Sequence, residues 1–223
     1  LLLVFAMCTL KFPPKLIEIL DKIRRRCLWT KKTEQGDKCN SLAAWDLVYR
    51  PKKKGGLGVI NLKIHNEALL LKFLHKFFNK QDIPWVNLIW DNHYVDKIPH
   101  AVDTVGSVWW KDILKLTPIF HGITCIQVVD GKTTMFWKDL WKEEILQTSH
   151  PRAFSFAIHE DLSVAEAMTS TDLHETFHLP VSPQALEEIE DVHSPPHWIS
   201  PSTSLHDVWH YSWGSAYYKP KDY

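Results

Sequence analysis

Apolar residues near the start of the chain recur at helical spacing behind a pair of prolines. Pro13 and Pro14 suit the first turn of a helix, and the pattern that follows runs to about Trp29. The apolar positions form one stripe made of Leu16, Ile19, Leu20, Ile23 and Cys27. At about 100° per residue, the basic residues beside the stripe fall on its flank or extend the charge around the helix: Lys15, Lys22, Arg24, Arg25 and Arg26.

A second, longer apolar pattern predicts a buried helix from about Leu62 to Asn79. Asn61 stands where an N-cap is expected, and apolar residues cover most of the helix circumference. Between the two helices, a short ordered segment around Trp45 ends before Pro51, because a residue that precedes proline is pushed out of the α region.

Shorter patterns follow in the second part of the chain. Ser107 is a candidate cap for a short helix, and Ser182 with Pro183 predicts another helix that ends near Val192. The Asp130-Gly131 pair lies between two runs of β-forming residues and is typical of a two-residue type I′ turn. The pattern therefore predicts a β-hairpin over residues 124–137.

Together these elements predict a mainly α protein with one small β-hairpin, an α+β class. Three regions are expected. Residues 1–80 form a basic helical region, residues 81–148 a Trp-rich α+β region that contains the hairpin, and residues 149–223 an acidic, His- and Pro-rich tail that is poorly ordered.

The net charge of zero conceals a strong asymmetry along the chain. Residues 1–80 hold 17 Lys or Arg and 6 Asp or Glu, a net charge of +11, and the remaining residues carry the compensating −11. Such a division favours an anionic partner for the basic part. The alternative is that the acidic part docks on the basic part and neutralises it.

Several classes of function find no support in the sequence. The four cysteines lie at none of the Cys-x-x-Cys spacings of zinc or redox motifs, and a reduced, intracellular chain is the default expectation. The sequence does not define the compartment, which would be the nucleus or the cytoplasm for an expressed chain. The apolar run at the first residues is far shorter than the ~20 residues that cross a bilayer, and is expected to be a buried element with further protein upstream. Gly55-Gly56-Leu57-Gly58 lacks the Lys-Ser/Thr of a P-loop.

Several motifs, in order along the chain, resemble the region after the palm in plant non-LTR retrotransposon reverse transcriptases, of the long interspersed element type. They are Phe12-Pro13-Pro14 through Leu28-Trp29, Trp45 with Pro51 to Gly58, Asn61-Leu62 through Asn66 to Lys72, Asp130-Gly131 with Phe136 to Trp141, and Asp207-Val208-Trp209 with Trp213-Gly214. The resemblance covers most of the chain. It implies a thumb-like first region and a last region that leads toward a zinc-binding segment.

The family is one of RNA-directed DNA polymerases, but the resemblance implies that this chain is a non-catalytic piece. The paired carboxylates of the family's Tyr-x-Asp-Asp hairpin would lie upstream, and the nearest string, Tyr94-Val95-Asp96-Lys97, has lysine where the second Asp belongs. Two-metal catalysis needs clustered carboxylates. We therefore expect no catalytic residue, metal or cofactor, and no membrane or small-molecule partner.

The expected partner is RNA or an RNA–DNA hybrid, held through phosphate contacts. The candidate binding residues are Lys15, Lys22, Arg24, Arg25, Arg26, Lys52, Lys53, Lys54, Gly55 and Gly56. The glycines are included because backbone N–H groups without a neighbouring Cβ can approach a phosphate closely. A protein-interaction module and a functionless retroelement remnant are the alternatives.

Other residues that could carry chemistry are interpreted as structural. Histidines recur four residues apart at 174/178, 193/197 and 206/210, a spacing that can bind zinc on a helix, but no cysteine or protease-type glutamate accompanies them. Trp109, Trp110, Trp137 and Trp141 could stack on bases, and are expected instead to build a small core.

Overall fold

Helices dominate the chain, as the sequence predicts, and short antiparallel strand pairs accompany them, which confirms the α+β class. A computed structural model describes residues 2–31, 38–39, 43–94, 106–170, 172–192 and 206–223. The chain divides into two units. The first comprises residues 1–71 with 220–223, and the second comprises residues 72–219.

The first unit is built from helices joined by short turns. Its elements are α1 (Leu2–Thr9), α2 (Pro14–Trp29), β1 (Thr30–Lys31), β2 (Lys38–Cys39), α3 (Trp45–Tyr49), a 3₁₀ turn (Lys52–Lys54) and the first part of α4 (Leu62–Phe78). Strand β1 pairs antiparallel with β2, an addition to the predicted elements. The start and end of α2 agree with the prediction, with proline in its first turn.

The core of the first unit centres on Met7, Phe12 and Leu62. The side chain of the buried Asn66 ties α1 and the segment that follows it to α4. Its amide nitrogen donates to the Met7 carbonyl at 2.8 Å, and its oxygen accepts from the Phe12 N–H at 2.8 Å. The predicted cap of α4 is confirmed, since the Asn61 side chain accepts from backbone N–H groups of the first turn.

The second unit contains more and shorter elements. After the end of α4 come α5 (Pro84–His93), α6 (Val108–Leu114), α7 (Thr117–Ile123), β3 (Thr124–Gln127), α8 (Leu146–Ser149), α9 (Pro151–Ser155), α10 (Val164–Thr169), α11 (Leu173–Thr176), α12 (Pro183–Val192) and β4 (Val208–Tyr211). The predicted serine caps of α6 and α12 are confirmed by hydrogen bonds to their side chains.

Aromatic rings fill the core of the second unit. Phe77 stacks on Trp90 with 4.7 Å between ring centroids, and Phe78 stacks on Phe120 at 5.2 Å. Trp209 of β4 lies 4.7 Å from Phe78. The predicted core role of the tryptophans is confirmed for three that are at most 4% exposed, namely Trp110, Trp137 and Trp141.

The predicted hairpin over residues 124–137 is wrong in its pairing. Strand β3 pairs antiparallel with β4, so that Thr124 lies opposite Tyr211 and Gln127 opposite Val208. The described residues after Asp130-Gly131 form no strand that pairs with β3, because their loop wraps around the carboxylate of Asp207. The chain touches β3 again at Leu140, whose carbonyl accepts a hydrogen bond from the Ile126 N–H at 2.9 Å. The strand partner is therefore supplied from about 80 positions further along the chain.

The prediction that residues 149–223 form a poorly ordered tail is wrong for the part of that range that the structure describes. Helices α9 to α12 and strand β4 lie there, and Phe177, Ala185, Ile189 and Trp209 are buried. The helices are short, and their few apolar residues become a core only when brought together, so local composition resembled a linker.

Candidate nucleic-acid interface

Helix α2 presents most of its basic residues to solvent. Lys15, Lys22, Arg25 and Arg26 are exposed, and no ion pair is recorded for them within the described ranges. Lys15, Lys22 and Arg26 are separated by seven and four residues and so share one side of the helix. The Arg25 guanidinium lies over the ring of Trp45, 5.4 Å from its centroid, a cation–π geometry that leaves the residue exposed.

Arg24 differs from the other candidate cations because its guanidinium is engaged by other residues of the first unit. It forms an ion pair with Asp21 at 2.9 Å and donates to the Ile60 carbonyl at 2.7 Å. Asp21 is buried and also accepts a hydrogen bond from the Tyr49 hydroxyl. Burial and this bond to Asp21 raise the pKa of Tyr49 to about 12. Arg24 is thus a structural residue that compensates a buried carboxylate.

The three consecutive lysines occupy an exposed turn. Lys52, Lys53 and Lys54 form one 3₁₀ turn that ends at Gly55, whose φ of +80° is a conformation that favours glycine. The three ammonium groups therefore project from a short, locally constrained segment.

Gly55 and Gly56 shape the turn itself. They are candidate binding residues because their backbone N–H groups could approach a phosphate, but both N–H groups donate within the turn. The Gly55 N–H donates to the Lys52 carbonyl at 3.1 Å, and the Gly56 N–H donates to the Pro51 carbonyl at 3.3 Å. A Cβ on Gly56 would lie 2.0 Å from the Arg50 carbonyl oxygen, so only glycine fits there. Because both N–H groups are engaged, phosphate contact in this loop would come from the lysines.

The apolar stripe of α2 faces solvent for most of its length, which the sequence pattern did not indicate. Leu16, Ile19 and Ile23 are 38%, 56% and 54% exposed, and Cys27 is also exposed. The residues of α2 that pack on the core are Ile17 and Leu20.

A buried carboxylate that sequence reasoning missed lies in the second unit. Asp207 is 1% exposed and accepts hydrogen bonds from the backbone N–H groups of Val129, Asp130, Gly131 and Thr133, at 2.8 to 3.2 Å. The hydroxyls of Thr133 and Thr134 add two more, at 3.0 and 2.7 Å. Successive N–H groups that converge in this way form an anion-binding nest.

The nest determines the charge state of its occupant. Burial alone would raise the pKa of Asp207, but hydrogen bonds from Val129, Thr134 and the rest of the loop outweigh it and hold the pKa below its usual value. The local sequence Asp-Gly-Lys-Thr-Thr signals a turn rich in donors. The identity of the acceptor depends on tertiary structure and could not be read from it.

The histidines that the structure describes do not converge on a metal site. His206 lies 3.2 Å from an oxygen of Asp130, and His210 lies 3.2 Å from the side-chain oxygen of Gln127. Across the described residues, no cluster of three or more metal-ligating side chains occurs. Positions 193 and 197 lie outside the described residues.

No helix within the described ranges is both long enough and apolar enough to cross a bilayer.

Comparison with known proteins gives one distant similarity. The chain is 29% identical over 144 residues to a protein of Arabidopsis thaliana whose name describes it as a ribonuclease H protein. The match covers 62% of this chain and only 23% of that relative. No family profile and no solved structure matches the chain. The similarity is compatible with a plant protein related to retroelements.

Proposed function

We propose that this chain is a non-catalytic part of a plant non-LTR retrotransposon reverse transcriptase and that its basic first unit holds RNA or an RNA–DNA hybrid. The ordered series of sequence motifs supports the origin. The distant similarity to a plant protein named for ribonuclease H is compatible with it.

The observation that carries the binding proposal is the exposure of the basic residues in the first unit. Seven of the eight predicted cations are exposed, and the eighth, Arg24, is the one bound to Asp21. Each Lys or Arg that neutralises a phosphate releases condensed counterions, so the affinity of such a surface falls steeply with salt. Lys15, Lys22 and Arg26 on α2 would supply one group of contacts and the 3₁₀ turn another.

The experiment replaces Lys52, Lys53 and Lys54 together by alanine and measures affinity for an RNA–DNA hybrid over a range of salt. Loss of up to three phosphate contacts should flatten the plot of log affinity against log salt by about 2 units, at roughly 0.7–0.9 per contact. The turn itself should persist, because Gly55 and Gly56 are unchanged.

A matched control removes the same charge from the second unit. Lys115, Lys132 and Lys219 are all exposed, and their joint replacement by alanine should leave the salt slope nearly unchanged. Equal slopes for the two triple variants would refute a specific role of the 3₁₀ turn and leave only the effect of net charge.

The absence of catalysis is a second, separate part of the proposal. A primer-extension assay with Mg²⁺ on a primed RNA template should give no product, and the RNA strand of a hybrid should remain intact. Product that depends on protein and Mg²⁺ would require carboxylates that converge in this chain, and it would overturn the non-catalytic assignment.

The alternative, in which the acidic part of the chain neutralises the basic part, needs a test that leaves the second unit folded. Deletion of residues 149–223 is unsuitable because buried residues such as Phe177 and Trp209 lie there. Replacement of the exposed Glu143, Glu187 and Glu190 by glutamine keeps the side-chain shape. If neutralisation limits binding, these substitutions raise the affinity for nucleic acid by more than the change in net charge explains.

A further inference from the structure

Helix α2 carries an apolar row on the side that faces solvent. The row consists of Leu16, Ile19, Ile23 and Cys27, which are separated by three, four and four residues. This is the spacing by which one helix packs along another. Contiguous exposed apolar surface on a monomer often marks an interaction site.

The orientation of α2 is fixed by polar contacts on its opposite side. Ile17 packs on the core of the first unit, and the buried Asp21 accepts from the Tyr49 hydroxyl. Arg24 joins Asp21 to the Ile60 carbonyl. Rotation of the helix to bury its apolar row would expose Ile17 and break this network around a buried carboxylate. The contacts that fix the rotation of α2 therefore also keep its apolar row exposed.

A row of cations runs beside the apolar row. Lys15, Lys22 and Arg26 lie within roughly 40° of one another around the helix, next to Ile19. If a partner helix covers the apolar row, the residues along one edge of that helix will lie close to these cations. Acidic residues on that edge would be stabilised there, while basic residues would be repelled.

A second copy of the chain fits this surface poorly. In an antiparallel two-fold pairing each copy contributes the same patch, so the cation row of one copy would lie beside the cation row of the other. Like charges at such an interface oppose association.

We infer that the apolar row of α2 is a docking surface for an amphipathic protein helix with acidic residues along one edge. The apolar row supplies the contact area, and the cation row selects the charge of the partner and its orientation. This inference does not depend on nucleic-acid binding. The two ligands would compete wherever both use Lys15, Lys22 and Arg26.

The test uses two synthetic helical peptides that carry a fluorophore and have leucines at positions i, i+3, i+7 and i+11. One has glutamates along an edge, and the other has lysines at the same positions. At about 0.15 M salt, where charges within ~8 Å still interact, fluorescence anisotropy should show that the acidic peptide binds at least tenfold more tightly.

Variants identify the surface. Ile19→Asp and Ile23→Asp should each weaken binding of the acidic peptide at least about tenfold. Leu88→Asp is the matched control, since Leu88 is 64% exposed and belongs to the second unit, and it should leave binding unchanged. Circular dichroism of each variant verifies that the fold is retained.

Several outcomes would overturn the inference. They are equal binding of the two peptides, binding of neither, or an equal effect of Leu88→Asp. Sedimentation that shows a dimer which Ile19→Asp dissociates would assign the surface to a second copy instead. A loss of hybrid binding in Ile19→Asp, with no peptide binding, would assign the surface to nucleic acid instead.

Discussion

Single polar residues fix the arrangement of long stretches of this chain. Asn66 ties α1 and the segment that follows it to α4, Asp21 fixes the rotation of α2, and Asp207 joins β4 to the loop that follows β3. Each is buried and hydrogen-bonded, as a polar side chain in a core must be. Because a buried donor or acceptor without a partner is costly, such residues penalise alternative arrangements more strongly than apolar contacts do.

The strongest effect on stability is expected at Asp207. Replacement by alanine leaves several buried N–H groups without an acceptor, at about 1–3 kcal/mol for each one unsatisfied, so the free energy of unfolding should fall by about 3 kcal/mol or more. Urea denaturation measures this change. Asp112→Ala, which removes a surface ion pair with Lys115, should cost less than about 0.5 kcal/mol. Similar losses in the two variants would show that the nest contributes little.

The pH dependence of stability should contain a contribution from His75. Burial, with a smaller effect of Lys76, lowers the pKa of His75 to about 4, whereas an unfolded histidine titrates near 6.5. The unfolded chain therefore takes up a proton that the folded chain resists. The stability that His75 contributes is complete above pH 6.5 and is lost as the pH falls toward 4.

Urea unfolding at pH 7.5 and pH 5 tests this contribution. The loss of stability on acidification should be smaller in His75→Gln than in the unsubstituted chain, whereas the exposed His174→Gln should leave it unchanged. An identical loss in all three proteins would mean that His75 protonates as easily in the folded state as in the unfolded state.

At the scale of elements, the sequence predicts what depends on neighbouring residues. Proline in the first turn of α2 and the side-chain caps Asn61, Ser107 and Ser182 all act within a few residues, and the structure confirms them. Pairing of β3 could not be predicted in the same way. Its partner β4 lies about 80 residues away, and the Asp-Gly signal that suggested a hairpin belongs to a loop around Asp207.

The apolar stripe of α2 shows a second limit of local pattern. Periodicity identifies a helix with an apolar side, but burial of that side depends on which other contacts the helix makes. Here Asp21 and Arg24 bind the opposite side of α2 to other residues of the first unit, so Ile19 and Ile23 remain exposed. For the candidate interface, the sequence predicted which cations are present, while the structural role of Arg24 emerged only from its contacts.

At the scale of the whole molecule, the candidate basic residues and most of the aromatic core lie in different parts of the chain. The predicted basic residues belong to the first unit, and most large buried aromatic residues belong to the second. The second unit depends on contacts that are distant in sequence. Composition therefore predicts the charged surface well and the extent of the core poorly. Residues 149–223 are rich in His, Ser and Pro, and the few apolar residues among them that form the core do not stand out in the composition.

Removal of residues 206–223 should therefore unfold the second unit, although they are a small part of the chain. The deletion takes away β4, which is the strand paired with β3, together with the buried Trp209 and Tyr211 and the carboxylate inside the nest. We expect loss of near-ultraviolet circular dichroism and of a cooperative urea transition. Deletion of residues 221–223, which lie outside this unit, should preserve both. If the longer deletion also preserved them, the aromatic core around Phe77 would be stable without β4.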